Sequence, residues 1–307
     1  MDNRIIKWLI VGLVLLAGCG QVAKENSENG RLNIVTTTGM IGDAVTNIVG
    51  DSANVTALMG PGVDPHLYKA TQGDLQKLTN ADLIFYNGLH LEGKMGEVLE
   101  KLGKLKPVVP VAQNIEDSKL RKVPEFNNNY DPHIWFDVSL WIEAVKQIDN
   151  TLQEQDKDHA AYYHNNALEY IKQLEELDVW VREQIATIPE EQRILITAHD
   201  AFGYFGDAYG IEVKGLQGIS TLSEYGLRDV SELAKYIVDH KIKAVFVETS
   251  VSQKSINAVV QGAQERGFEV TIGGNLFSDA MGEAGTPEGT YVGMVRANVN
   301  TIVEALR

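Results

Sequence analysis

The sequence predicts an α/β fold of two lobes, each built on a parallel sheet, joined by one long rigid α-helix. Three observations carry that expectation. Short β-type runs alternate with amphipathic helical stretches from Arg31 onward, the alternation resumes in the second half, and between the halves lies a stretch without Gly or Pro. Alternation of this kind marks parallel strands joined by helical crossovers. A chain of 307 residues is long enough for two cores.

The first segment is not part of the fold. Arg4 and Lys7 supply a positive start, Trp8 to Leu16 an apolar run too short to span a bilayer, and Leu16-Ala17-Gly18-Cys19 a run of small residues ending in Cys. This resembles the lipobox of bacterial lipoproteins. The resemblance implies that residues 1–18 are a signal peptide and that Cys19 becomes the first mature residue, carrying a thioether-linked diacylglycerol. Cys19 is the only Cys in the chain. Residues 19–30 are polar and read as a flexible tether.

The first lobe is expected over residues 31–155. Leu32 to Thr38, Val55 to Leu58, Leu83 to Asn87 and Val108 to Val111 are strand candidates, with helices at Ala44 to Val49 and Gln72 to Leu78. Residues 156–188 form the linking helix, because Tyr162, Ala167, Ile171, Leu174, Leu177, Val181 and Ile185 recur at three- or four-residue intervals. No flexible linker separates the halves, so little hinge closure is expected. The second lobe, residues 189–307, has strand candidates at Ile194 to Thr197, Val213 to Leu216, Ala244 to Val247 and Val270 to Ile272. Helices are expected at Ala201 to Tyr209, Val230 to His240, Ser255 to Arg266 and Tyr291 to Leu306.

Composition removes several function classes. The formal net charge is −15, and −16 once residues 1–18 are removed, the opposite sign to a nucleic-acid binder. Without a Cys beyond Cys19, disulfides and thiolate metal sites are excluded. No second apolar stretch approaches spanning length.

Seven histidines remain, and two of them lie in the same tripeptide, Asp64-Pro65-His66 and Asp131-Pro132-His133. Proline stiffens each loop, and a neighbouring carboxylate or carbonyl can take the imidazole's second N–H and set its tautomer. The repeated frame favours ligation for His66 and His133 over a solvated loop histidine. His199 follows an apolar strand in Ile194 to Asp200, and Asp279 follows another in Gly273 to Asp279, both at carboxyl ends where α/β sheets gather ligands. That placement alone leaves these two evenly balanced between ligand and turn residue. His90, His159, His164 and His240 read as solvated or helix-terminal. Three neutral imidazoles and one carboxylate suit a divalent transition metal.

Gly62-Val63-Asp64-Pro65-His66, Asp131-Pro132-His133-Ile134-Trp135, Thr197 to Phe205 and Leu276-Phe277-Ser278-Asp279 together resemble the four motifs of the manganese and zinc class of metal-binding solute receptors of ABC transporters. The resemblance spans nearly the whole mature chain. It implies one metal ligand per motif, His66, His133, His199 and Asp279, holding Mn2+ or Zn2+ between the lobes. It also implies a permease and an ATPase as partners, a lipid-anchored protein at the outer face of the cell membrane through Cys19, and no enzymatic step. A monomer is expected. Asp117 to Tyr130 lacks the His-rich loop usual in zinc receptors, which favours manganese, whereas His199 stands where many manganese receptors have Glu, which brings zinc back. A zinc-dependent hydrolase using Asp200 or Glu248 as base, and a surface adhesin, are the competing readings.

Overall fold

The computed structural model describes residues 30–307. The signal peptide, Cys19 and the tether to residue 29 lie outside the described residues. Leu32–Arg307 forms one compact unit of α/β class with two parallel-sheet lobes.

The first lobe is built from β1 (Leu32–Thr36), α1 (Gly39–Val49), β2 (Ala53–Ala57), α2 (Gln72–Asn80), β3 (Leu83–Tyr86), α3 (Gly96–Gly103) and β4 (Val108–Pro110). The four strands form one parallel sheet in the order β2-β1-β3-β4, with Ile34 aligned to Val55 on one side and to Leu83 on the other. Thr71 and Asp74 close a reciprocal capping box at the start of α2. At its far end the Lys106 ammonium donates to the carbonyls of Leu78, Thr79 and Ala81, satisfying acceptors that the helix leaves open.

Then come β5 (Lys122–Val123), β6 (Asn129–Tyr130) and α4 (Val138–Gln155). The antiparallel β5–β6 pair lies inside the segment expected to be a plain loop. Helix α4 has no counterpart in the sequence reading. Its buried face carries Gln147, Asp149 and Thr151, which interrupt the apolar period. Gln147 Nε2 donates to Thr151 Oγ1 at 3.0 Å and the Thr151 hydroxyl to the Gln147 carbonyl at 2.9 Å, so burial of these groups costs little.

Helix α5 spans Ala160–Ala186, 27 residues and about 40 Å. It begins later than the periodicity suggests because Asp156 folds back, its Oδ2 accepting from Tyr163 at 2.8 Å and facing His159 Nδ1 at 2.9 Å. Its buried stripe is Tyr163, Ala167, Tyr170, Leu174, Leu177, Val181 and Ile185. Tyr162, expected in that stripe, is exposed instead, and Ile171 gives way to Tyr170. The helix packs on α1 and α4 and, further along the chain, on α6 (Gly203–Tyr209) and α9 (Tyr291–Leu306).

The second lobe holds β7 (Ile194–His199), β8 (Glu212–Gln217), α7 (Leu227–Asp239), β9 (Ala244–Glu248), α8 (Lys254–Gln264) and β10 (Thr271–Leu276). β7 pairs in parallel with β8 and β9 with β10, while β7 also runs beside β9. β10 continues past Ile272, the expected end of the strand, through Gly273-Gly274 to Leu276. A side chain at Gly273 would stand 2.6 Å from Ala305, and one at Gly274 2.3 Å from Thr301, so the glycines let α9 lie directly on the strand. One apolar cluster runs through both lobes, including Trp135, Phe136, Trp141, Phe202 and Tyr291. Burying each such side chain stabilises the fold by about 1.5–3 kcal/mol.

Candidate metal centre

All four candidate ligands meet. His66 comes from the loop after β2, His133 from the turn before α4, His199 from the last position of β7 and Asp279 from the loop after β10. Each is at most 2% exposed. His66 Nε2 is 3.3 Å from His133 Nε2, and Asp279 Oδ1 is 3.3 Å from His133 Nε2. Asp279 Oδ2 faces His199 Nε2 at 3.3 Å and His66 Nε2 at 3.9 Å. The donor atoms all lie within 4.8 Å of one another. Donors 3.3–3.9 Å apart stand about 2.0–2.4 Å from a common centre, close to metal–nitrogen and metal–oxygen bond lengths. Among the described residues, this is the one group of His, Cys, Asp and Glu with that capacity.

Two of the three imidazoles are held from behind. Asp131 Oδ1 lies 2.7 Å from His133 Nδ1 and also accepts the His133 backbone N–H at 3.0 Å. Glu248 Oε2 lies 2.5 Å from His199 Nδ1, and its Oε1 accepts the His199 backbone N–H at 2.9 Å. These carboxylates aim the Nε2 atoms inward, the arrangement that raises ligand basicity. Trp135 ties the two lobes' loops together, its indole N–H donating to the Ser278 carbonyl at 2.9 Å. Tyr291 donates to the Trp135 carbonyl at 2.8 Å, and Asn298 brackets Phe277 through both its backbone N–H and its carbonyl. Among the described residues, neither Asp279 oxygen has a donor other than the imidazoles.

The electrostatics follow from that arrangement. Burial pulls His133 down, but Asp131 and Asp279 outweigh it and hold the imidazole up at about 9. Burial likewise opposes a charge on His199, and Glu248 and Asp279 push it well above the ordinary range. Burial would raise Asp279, but His199 and His133 hold it well below the usual carboxylate range. Among the described residues, no carboxylate stands at the second nitrogen of His66, and burial drives it down to about 3 despite the pull of Asp279. A cluster that holds protons against a buried carboxylate holds a cation in the same place.

The chain matches, over residues 34–305, the family described as zinc-uptake complex component A periplasmic, ZnuA. It belongs to that family. The chain is 55% identical over 307 residues, the whole of both proteins, to the manganese-binding lipoprotein MntA of Bacillus subtilis. It is 50% identical over 284 residues, 92% of each, to the zinc-binding protein TroA of Treponema pallidum. A solved structure of the periplasmic zinc binding protein TroA from Treponema pallidum superposes with a TM-score of 0.88 at 51% identity, over 90% of this chain and 99% of that one. ZnuA-family proteins are binding components that work with the permease and ATPase of ABC importers, and are not enzymes. His90, His159, His164 and His240 are exposed and away from the cluster. Glu248, weighed as a hydrolytic base, instead stands behind His199. Trp135 closes the second motif, whereas Asn298 carries no sequence signal that separates it from ordinary core residues.

Proposed function

We propose that this chain captures a divalent transition metal with His66, His133, His199 and Asp279 as ligands and delivers it to a membrane permease powered by an ATPase, with manganese favoured over zinc as the cargo in the cell. The observation that carries the reading is the convergence of three imidazole Nε2 atoms on a buried carboxylate whose two oxygens both face them. Two oxygens and three nitrogens allow five-coordination, which suits manganese better than the tetrahedral arrangement usual for zinc. Zinc remains the competing cargo, favoured by the third imidazole, His199. The chain acts as a monomer tethered through lipid on Cys19 and residues 19–30, outside the cytoplasm. In this reading α5 is the rigid strut between the lobes, residues 31–155 on one side and 189–307 on the other.

Isothermal calorimetry with Mn2+ and with Zn2+ tests the reading. One ion should bind per chain, and zinc should bind the isolated protein more tightly whatever the cell delivers, because nitrogen and oxygen sites follow the Irving–Williams order. Metal analysis of protein taken from its native host then reports the cargo. A chain that binds neither ion ends this proposal.

A further inference from the structure

The motif around His199 continues through Gly203 and Tyr204, and Asp207 follows it on the same helix; none of the three touches a candidate ligand atom. All three converge on Arg121, which lies across the lobe boundary in the loop before β5. The Arg121 guanidinium pairs with Asp207 on α6, and its Nε lies 3.6 Å from Asp131 Oδ2. Asp131 is the carboxylate behind His133. The Tyr204 hydroxyl donates to the Asp131 carbonyl at 2.9 Å and accepts the Arg121 backbone N–H at 3.1 Å. A side chain at Gly203 would stand 2.6 Å from Arg121 Nε and 2.9 Å from its Cζ, so the guanidinium lies against bare backbone at the start of α6. Only glycine leaves that passage open. Asp131 Oδ2 and Arg121 Nε are both buried without a hydrogen-bond partner, and among the described residues each lies within ion-pair reach of the other.

We infer that Arg121 is a positioning residue that couples the seating of α6 against the first lobe to the orientation of His133, and thereby sets how long the cargo stays bound. The inference rests on the metal-capture reading above. An exposed ion pair adds little to stability, and Asp207 is 64% exposed. Its geometry matters more than its strength. The planar guanidinium can face Asp207 and Asp131 at once, which a lysine's point charge cannot reproduce. If α6 shifts away, Arg121 loses Asp207, and Asp131 loses the group that keeps its Oδ2 turned from the imidazole.

The test is stopped-flow release of Mn2+ and Zn2+ to a chelator from full-length wild type, R121M, R121K, G203A and D207N, with association rates and melting temperatures measured alongside. Release should quicken about 10-fold in R121M and G203A, with association within about 2-fold of wild type. R121K should recover less than half of the logarithmic change. D207N should match R121M, and the double variant should add nothing beyond either. Equal changes in association and release, or full rescue by lysine, overturn the inference and leave metal capture intact. So does a G203A variant that melts like wild type and releases at the wild-type rate. Failure of wild type itself to bind an ion overturns both.

Discussion

In both Asp-Pro-His loops an aspartate Oδ1 accepts the backbone N–H of the histidine two residues on, at 2.8 Å from Asp64 and 3.0 Å from Asp131. The local turn is the same, and the imidazoles are not. Asp131 Oδ1 also reaches His133 Nδ1, whereas the other oxygen of Asp64 is taken by the Thr221 hydroxyl at 2.6 Å, leaving His66 without a carboxylate behind it. Burial therefore drives His66 down to about 3, while Asp131 and Asp279 overcome burial and hold His133 at about 9. One tripeptide thus supplies a candidate ligand that would lose a proton to solvent before holding a cation and a second that is already neutral.

The difference predicts its largest effect in His133→Ala against His66→Ala. Both should lower metal affinity by more than the 10–100-fold that loss of a supporting carboxylate costs. Only H133A should also destabilise the metal-free protein, by roughly 3–5 kcal/mol in denaturant titration, because Asp131 is left buried beside an empty space. H66A should stay within about 1–2 kcal/mol of wild type. Equal losses would erase the contrast.

Proton release gives the next effect. His133, held up at about 9, should carry a proton in the metal-free protein at pH 7, and Glu248 and Asp279 push His199 in the same direction, so capture should release at least one proton per ion and affinity should climb by at least about 10-fold per pH unit. That climb should flatten only as pH passes about 9. Calorimetry in buffers of different ionisation enthalpy reads the number directly, and a value near zero would mean that His133 is neutral from the start. The sign for metal-free stability is opposite in the two loops. The contribution of His133, raised from 6.5 to about 9, is complete below 6.5 and is lost as pH rises through 9. That of His66, lowered from 6.5 to about 3, is present above 6.5 and is lost as pH falls towards 3.

Smaller effects belong to the supporting groups. Asp131→Asn should weaken binding about 10–100-fold and bring the proton count down by about one. Thr221→Val, which removes only the partner of Asp64, should cost less than about 10-fold in a chelator competition assay. A Thr221→Val loss as large as that of D131N would show that the His66 loop depends on the second lobe as much as His133 depends on Asp131.

The same contrast explains what was legible in the sequence. The repeated tripeptide, the strand-end His199 and the loop Asp279 stood out because ligand chemistry restricts residue type, and the structure brings these four side chains together. The two-lobed alternation was readable from apolar period and strand composition. Helix α4 was not, because Gln147, Asp149 and Thr151 pair among themselves and with neighbours on its buried side. The phase of α5 was misread at Tyr162 because adjacent tyrosines fit the period almost equally well. The different fates of His66 and His133 depend on Thr221, 157 residues from Asp64, and on Arg121, across a hairpin from Asp131, and no local pattern encodes them.

Donor atoms gathered within 4.8 Å of one another would take the place of water around a cation held by all four. Such a cation would have shed most of its hydration shell. Magnesium, which surrenders its water reluctantly and prefers an octahedron of oxygens, is therefore turned away by the cost of undressing it, without any group dedicated to refusing it.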